Sequence, residues 1–168
     1  MLYFRKPYGL NLSWSEEPRT KRGRKDGILI LAEEWRFILT KDFLQYEVIV
    51  PEGTELDGPS IPWFARWPFV VVPRNDQTEA PGDAHDVLYA LRGRVPVMNG
   101  GMIAVSRYEA DSLFLIGILK MGLPRWRCLI ASSALWAFGW MAWRRTSATD
   151  AANRRLPIMA ITLEGQSA

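Results

Sequence analysis

The order of two periodic patterns in the sequence predicts an α+β fold, in which a small N-terminal antiparallel β-meander is followed by three helices. Up to about Pro51, short segments rich in β-branched and aromatic residues alternate with polar residues. From about Thr78, apolar residues recur at helical spacing. Strands followed by helices, rather than alternating with them, are typical of the α+β class. The chain has 168 residues, 48% of them hydrophobic, which is enough for the core of one domain.

Three short segments carry the predicted meander: residues 27–32 (GILILA), 34–40 (EWRFILT) and 43–51 (FLQYEVIVP). Pro51 and Gly53 end the last of them, because proline cannot donate to a sheet ladder and glycine favours turns. Repeated glycine and proline in the next stretch, GTELDGPSIPWFARWPF, predict a loop.

The first predicted helix lies within residues 78–93, TEAPGDAHDVLYALRG, with Pro81 in its first turn and Gly93 just past its end. Proline is accepted in the first turn of a helix, and glycine is common just beyond the last residue. The stretch RVPVMNGGM that follows is expected to form a connection to the next helix.

A capping box marks the start of the second predicted helix. Ser106 and Glu109 have the Ser-x-x-Glu spacing, in which each side chain binds a backbone amide of the other residue. Gly122 closes this helix, and a third helix runs from about Pro124 to Arg145. We expect the first helix to pack antiparallel on the second.

The third helix permits three interpretations. Residues 128–143, CLIASSALWAFGWMAW, carry no charged side chain and have arginines on both sides. Their length lies between that of a core helix and that of a transmembrane helix, which needs roughly 20 apolar residues. Trp136, Trp140 and Trp143 share one face by their spacing, and tryptophan is favoured at membrane interfaces. A core helix, a helix attached to a membrane interface and a membrane span all remain open.

The predicted organisation is a basic irregular arm over residues 1–26, a single α+β domain over 27–145 and a C-terminal tail over 146–168. The net charge is +3, and much of the positive charge is concentrated in RTKRGRK at 19–25. This run indicates a solvated loop but also suits the phosphate of lipid or nucleic acid. Nucleic acid is the less favoured partner, because this run is short and has no interleaved aromatic residues. The single cysteine, Cys128, excludes an intrachain disulfide, and the first residues lack the apolar run of a signal peptide.

The candidate catalytic residues surround the single histidine, His85. On a helix Tyr89 shares the face of His85, whereas Asp86 points about 100° away. A histidine that acts as a base needs a separate carboxylate to orient its ring, and Asp111 on the next helix is the candidate. We therefore name His85, Asp111 and Tyr89 as catalytic candidates. The competing interpretation is an ordinary surface or core histidine, with Tyr89 as a core aromatic residue.

Asp86, on the other flank of the helix, suits a metal ligand. Its partners would come from the loop ELDGPSIP, which offers the carboxylate of Asp57, backbone carbonyls beside Gly58, and Ser60. Calcium accepts this mixture of oxygens, whereas zinc is poorly served by one histidine and a distant cysteine. Asp57 before Gly58 is also an ordinary turn sequence. Asp83 is interpreted as an acid favoured by the helix dipole in the first turn.

Four motifs in order resemble a phage- and prophage-associated family, domain of unknown function 1353. They lie within VPEGTELDGPSIPWF, GDAHDVLYAL and SRYEADSLFLIGILKMGLPRWRCLIASSALWAFG, and the resemblance covers residues 27–139. That family typically has a Val-Pro-x-Gly strand end, a Thr-Asp-Phe-x-Ser-Val-Pro loop, a Leu-His-Asp-x-Leu-Tyr helix and an Ala-Asp-x-x-Phe helix. This chain departs from the pattern at Leu56, Gly58 and Trp63. The resemblance implies a phage or prophage origin and supplies no activity.

The order of these motifs is also similar to that in the small secretory phospholipases of microbes. Those enzymes have an Asp-Gly-x-Ser loop, a His-Asp-x-x-Tyr helix and a later Asp. This similarity implies that Asp57 and Asp86 bind calcium, that His85 activates water and that Asp111 orients His85. Those enzymes are usually secreted and disulfide-bonded, and this chain has a single cysteine.

Two functions follow as expectations. One is a calcium-assisted ester hydrolase at the cell envelope, with the tryptophan-rich helix and the basic run against phospholipid. The other is a virion, tail or lysis-module component that binds phage proteins, in which the polar residues form a structural hydrogen-bond network. The expected location is the host cytoplasm or the virion, or the periphery of the inner membrane.

Overall fold

The structure, a computed structural model, describes residues 9–22, 29–56, 79–144 and 158–163. These residues form nine strands and three helices. The strands are β1 (Asn11–Ser13), β2 (Thr20–Arg22), β3 (Leu29–Leu31), β4 (Trp35–Lys41), β5 (Leu44–Val50), β6 (Glu55–Leu56), β7 (Arg94–Pro96), β8 (Met102–Ala104) and β9 (Met159–Thr162). The helices are α1 (Glu79–Ala90), α2 (Arg107–Lys120) and α3 (Arg125–Arg144). The predicted α+β class is confirmed.

The largest sheet is antiparallel, with the strand order β1-β4-β5-β9. Its centre is the β4–β5 hairpin, which pairs continuously from Trp35 with Val50 to Lys41 with Leu44. Alternate β4 residues, such as Phe37, are buried, because successive side chains of a strand point to opposite faces. The first predicted strand, residues 27–32, corresponds to β3 and belongs instead to a second antiparallel sheet with β2 and β6.

The connection predicted after α1 contains regular structure, because β7 and β8 form an antiparallel hairpin there. Gly100 and Gly101 have φ angles of 91° and 94°, so the two glycines make the turn. Val95 and Ile103, which face each other in this hairpin, are buried. Each strand has three residues, too few to show a clear two-residue period in the sequence.

Both terminal segments contribute strands. β1 and β2 lie within the predicted arm, residues 1–26, and β9 lies within the predicted tail, residues 146–168. β9 pairs antiparallel with β5 and buries Ala160, so the end of the chain completes the largest sheet.

α1 and α2 pack antiparallel, as expected. Pro81 in the first turn of α1 lies beside Gly117 in the last turns of α2, while Tyr89 near the end of α1 contacts Asp111 near the start of α2. A Cβ on Gly117 would lie 2.7 Å from Cβ of Pro81, so the glycine permits this close approach. The capping box of Ser106 with Glu109 is present at the start of α2.

α3 has one buried and one exposed side. Cys128, Ala131 and Gly139 are buried, whereas 71% of Trp136 is exposed. Trp143 does not share the exposed face with the other two tryptophans, since its ring meets Tyr89 edge-on at 4.9 Å. Among the described residues, no helix is both long and apolar enough to cross a membrane.

Candidate functional site

Asp111 is the centre of a buried polar cluster between α1, α2 and α3. Its Oδ1 accepts a hydrogen bond from the Tyr89 hydroxyl at 2.5 Å and lies 3.1 Å from Nε2 of His85. Its Oδ2 accepts from Nη1 of Arg107 at 3.2 Å. The Asp111 side chain is only 10% exposed, so a carboxylate here requires these donors. We call His85, Tyr89, Arg107 and Asp111 the Asp111 cluster.

The cluster follows from helix spacing combined with antiparallel packing. His85 and Tyr89 are one turn apart on α1, and Arg107 and Asp111 are one turn apart on α2, so each pair shares a face. Antiparallel packing brings the end of α1 to the start of α2, where the two faces meet.

α3 closes the cluster from the third side at Gly139. A Cβ on this residue would lie 2.8 Å from the Tyr89 hydroxyl oxygen and 3.0 Å from Nη1 of Arg107. The same Nη1 donates to the carbonyl oxygen of Leu135 at 3.0 Å. Arg107 therefore joins the buried carboxylate to the backbone of α3, and the missing side chain of Gly139 leaves the space for it.

The two ring nitrogens of His85 face different carboxylates. Nε2 faces Asp111, whereas Nδ1 lies 4.0 Å from Oδ1 of Asp86, beyond hydrogen-bonding distance. The ring packs against Tyr89 and Phe114, with centroid separations of 4.1 and 5.3 Å, and 12% of the side chain is exposed. If Nε2 carries the proton donated to Asp111, the lone pair of the neutral ring lies on Nδ1.

The surroundings of the cluster shift the pKa values of His85 and Tyr89. Burial disfavours the imidazolium form of His85, but contacts with the carboxylates of Asp111 and Asp86 outweigh burial and raise its pKa above the ordinary 6.5. Burial, together with the negative charge of Asp111, raises the pKa of Tyr89 far above its ordinary value. Tyr89 therefore remains a neutral donor to Asp111.

The structure brings together the three candidate catalytic residues, His85, Tyr89 and Asp111. The Tyr89 hydroxyl is bonded to Asp111, which makes Tyr89 a residue that positions the carboxylate. Asp83 lies in the second turn of α1 and is 1% exposed, so its interpretation as a first-turn acid was wrong, and Glu79 occupies that place.

The predicted calcium ligands are described in part. Asp86 is 13% exposed and lies beside Nδ1 of His85, whereas Asp57 and Ser60 fall outside the described residues. Within the described ranges, no three His, Cys, Asp or Glu side chains are grouped so that they could hold a metal ion. Of the predicted calcium ligands, the described residues therefore include one carboxylate, that of Asp86 on α1.

Two members of this site were missed by the sequence reasoning. Arg107 precedes Asp111 by four residues, a spacing that favours an ion pair on a helix and could have identified it. Gly139 interrupts a long apolar helix, which suggests a close contact, but its partners are visible only after α3 has packed on the other helices.

Comparison with known proteins gave one match. No curated protein and no solved structure matched the chain. The model of a family described as protein of unknown function (DUF1353) matches residues 30–135, a span that includes all four residues of the Asp111 cluster. The chain therefore belongs to the DUF1353 family of proteins of unknown function.

Proposed function

We propose that the Asp111 cluster is the general-base centre of an ester hydrolase, with His85 as the base and Asp111 as its orienting carboxylate. The observation that supports this most directly is the geometry of the imidazole ring. A buried carboxylate holds Nε2 at 3.1 Å and leaves Nδ1 free of any contact with Asp111. A ring fixed at one nitrogen, with its lone pair on the other, is the arrangement of a histidine base.

In the proposed reaction, Nδ1 of His85 takes a proton from water while the water oxygen attacks the ester carbonyl. The proton then passes to the departing alkoxide, so that ester and water become acid and alcohol. Asp111 stabilises the imidazolium while the ring holds the proton, and Tyr89 and Arg107 hold Asp111 in place. The base must be neutral to act, so we expect turnover to rise with pH through the raised pKa of His85.

Asp86 is the proposed carboxylate ligand for calcium on α1, with Asp57 and Ser60 as its proposed partners from the loop. Bound calcium would supply the positive charge that stabilises the oxyanion formed from the carbonyl. Support for Asp86 comes from its place beside Nδ1, on the side of the ring that faces away from Asp111. The similarity of the motifs to microbial phospholipases favours a phospholipid ester, and their similarity to phage and prophage proteins favours an envelope setting.

The test combines calcium calorimetry with a phospholipid-hydrolysis assay. His85→Gln should lower turnover by about 10³-fold, the usual range for loss of a general base, while circular dichroism shows an intact fold. Asp86→Asn should lose both the heat of calcium binding and turnover. Glu109→Gln is the matched control, because it removes a carboxylate on α2 that lies outside the Asp111 cluster and the proposed calcium site. Full activity of His85→Gln would rule out the proposed base.

A specific observation favours a second, non-catalytic candidate. Arg107 binds the same carboxylate as His85 and also the backbone of α3, so the cluster ties three helices together. In this alternative the protein is a structural component of a virion or lysis module, and the cluster sets the arrangement of the helices. The wild-type protein would then show no hydrolysis, His85→Gln would lose stability alone, and assembly with a phage partner would not depend on calcium.

A further inference from the structure

The outward side of α3 carries a row of large apolar side chains. Trp126, Leu129, Trp136 and Trp140 are 52%, 49%, 71% and 49% exposed. Their intervals of three, seven and four residues place them on one side of the helix, and we call these four residues the α3 stripe. Tryptophan is rarely left this exposed without a function, because burying such a ring removes a large apolar area from water.

The opposite side of α3 packs against the rest of the protein. Cys128, Ala131 and Leu135 pack with residues of α2 in an apolar cluster, and Gly139 contacts the Asp111 cluster. The stripe is therefore a second apolar surface on a helix whose inward side is already buried. A helix that is apolar on both sides needs a cover for the second side.

The charge along α3 is entirely positive. The helix contains Arg125, Arg127 and Arg144 and no acidic residue. The guanidinium of Arg127 lies 5.1 Å from the ring centroid of Trp126, and that of Arg144 lies 5.7 Å from the ring of Trp140. Positive charge is thus placed directly on the stripe, near both of its ends.

Further cations adjoin the C-terminal end of the helix. Nη2 of Arg92 donates to the carbonyl oxygen of Arg144 at 3.4 Å, and Arg92 and Arg94 are both exposed beside Trp143. Together with Arg125, Arg127 and Arg144 on α3, these cations favour an anionic partner at the stripe.

We propose that the α3 stripe docks on the surface of an anionic lipid bilayer. Tryptophan rings are stable at the level of the lipid headgroups, where the ring is in an apolar environment and the N–H group remains hydrated. Arginine beside these rings binds lipid phosphate. A helix with one exposed apolar side and flanking cations lies in the plane of the interface, and none of the described helices is suited to cross a membrane.

A second copy of the chain is a poorer partner for the same surface. Two α3 stripes packed antiparallel by two-fold symmetry would bring Arg125 and Arg127 of one helix next to Arg144 of the other. α3 has no acidic residue that could compensate these charges, so the contact would be repulsive.

The inference is independent of the hydrolase proposal and is tested by co-sedimentation with vesicles of non-hydrolysable ether lipids. Wild-type protein should bind vesicles that contain ether phosphatidylglycerol and bind weakly to vesicles of ether phosphatidylcholine alone. The double variant Trp136→Ser, Trp140→Ser should lower the partition coefficient by about 100-fold, at about tenfold per ring. Arg127→Gln with Arg144→Gln should lower it by about tenfold and weaken its salt dependence.

The matched control is Leu44→Ser with Met102→Ser, which removes two side chains that are 54% and 56% exposed away from α3. This control should bind like the wild type, and all variants are checked for folding by circular dichroism. The proposal is overturned if the wild type binds neutral and anionic vesicles equally or neither kind, or if the tryptophan variant still binds. A dimer in sedimentation velocity that the tryptophan variant dissociates would assign the stripe to a second copy instead.

These experiments distinguish a failure of the hydrolase proposal from a failure of the docking proposal. His85→Gln should bind the ether-lipid vesicles as the wild type does, because the stripe does not include His85. Vesicle binding without hydrolysis of ester lipids would remove the hydrolase proposal and leave the docking surface, and hydrolysis of soluble esters without vesicle binding would do the reverse.

Discussion

Two carboxylates lie two residues apart in the first turns of α2 and have different surroundings. Glu109 accepts hydrogen bonds from the backbone N–H of Ser106 at 2.7 Å and from Nζ of Lys41 at 2.8 Å, and its side chain is 24% exposed. Asp111 accepts from side chains of two helices and is 10% exposed. Glu109 caps the helix and links it to the sheet, whereas Asp111 is the centre of a buried cluster.

The difference shows which contacts local sequence determines and which need the tertiary fold. The Ser106 contact of Glu109 spans three residues and is part of a recognised capping pattern. The contacts of Asp111 with Tyr89 and His85 span 22 and 26 residues and exist only because α1 packs antiparallel on α2. Two carboxylates on one helix therefore depend on different levels of structure, one on local sequence and the other on the packing of α1 against α2.

The largest expected effect is the difference between Asp111→Asn and Glu109→Gln in the loss of unfolding free energy. Asp111→Asn removes the charge opposite Arg107, whose side chain is 28% exposed, and an amide cannot accept all the bonds that the carboxylate accepts. We expect a loss of about 3 kcal/mol in the free energy of unfolding. Glu109→Gln should cost about 1 kcal/mol, as expected for a cap and a partly exposed ion pair. Urea unfolding followed by circular dichroism measures both, and equal losses would contradict the distinction.

Gly139→Ala tests the closing of the cluster by α3. Alanine in a helix interior is ordinarily favoured over glycine by about 1 kcal/mol. Here the added methyl group would meet the Tyr89 hydroxyl oxygen at 2.8 Å, so we expect a net loss of about 2 kcal/mol in unfolding free energy.

The control for this variant is Ser133→Ala, at an exposed position of the same helix, which should change the stability by at most about 0.5 kcal/mol. A stabilised Gly139→Ala protein, with unfolding measured in the same way, would mean that α3 does not approach the cluster this closely.

The single histidine allows a direct test of the charge around the cluster. In metal-free protein, the pKa of His85 measured by NMR from its ring C–H resonance should lie above 6.5. It should fall in Asp111→Asn, which removes one of the two carboxylates that raise it, and stay unchanged in Glu109→Gln. A wild-type value at or below 6.5 would show that burial outweighs the carboxylates.

The sign of this shift also predicts a pH-dependent stability. A raised pKa in the folded state stabilises the protein fully below the unfolded pKa of about 6.5, and this contribution is lost as the pH rises through the folded pKa. The loss of unfolding free energy in His85→Gln should therefore be larger under mildly acidic than under alkaline conditions. Urea unfolding at several pH values measures it, and a loss that grows with pH would contradict the assignment.

The sequence predicted the elements with strong local signals and missed those that depend on partners. The β4–β5 hairpin, α1, α2 and α3 have long periodic patterns and clear end residues, and all are present. The pairing of His85 with Asp111 was predicted on the condition that the helices are antiparallel. β9 has four residues and gains its stability from β5, a strand more than a hundred positions earlier, so nothing in its own sequence marked it.

The position of Trp143 on α3 is another feature that the sequence alone did not predict. Its spacing from Trp136 and Trp140 suggested one shared face. A helical face is wide, however, and tertiary packing determines which of its residues are buried and which are exposed. The ring of Trp143 lies at the inward edge against Tyr89, whereas the other two are exposed. The apolar pattern identified the helix, and the contact with α1 determined which of its tryptophans face solvent.

The smallest expected effect concerns the pH dependence of Glu109. Burial raises the pKa of this carboxyl group, but hydrogen bonds from Lys41 and Ser106 outweigh burial and hold the pKa below the ordinary 4.5. Its contribution to stability is therefore present above about 4.5 and is lost as the pH falls through the folded pKa. The roughly 1 kcal/mol cost of Glu109→Gln should disappear in acid, where that of His85→Gln persists.

The control for Glu109 is Glu52→Gln, since the Glu52 carboxylate lies 4.0 Å from Lys21 on the surface with 64% of its side chain exposed. This variant should change stability by at most about 0.5 kcal/mol at any pH. Urea unfolding of the three variants across one pH series separates their contributions. Glu109→Gln and His85→Gln could instead lose stability in parallel across that series. The helix cap at Glu109 and the Asp111 cluster would then respond to one shared change in structure. In that case tertiary packing would not separate their roles.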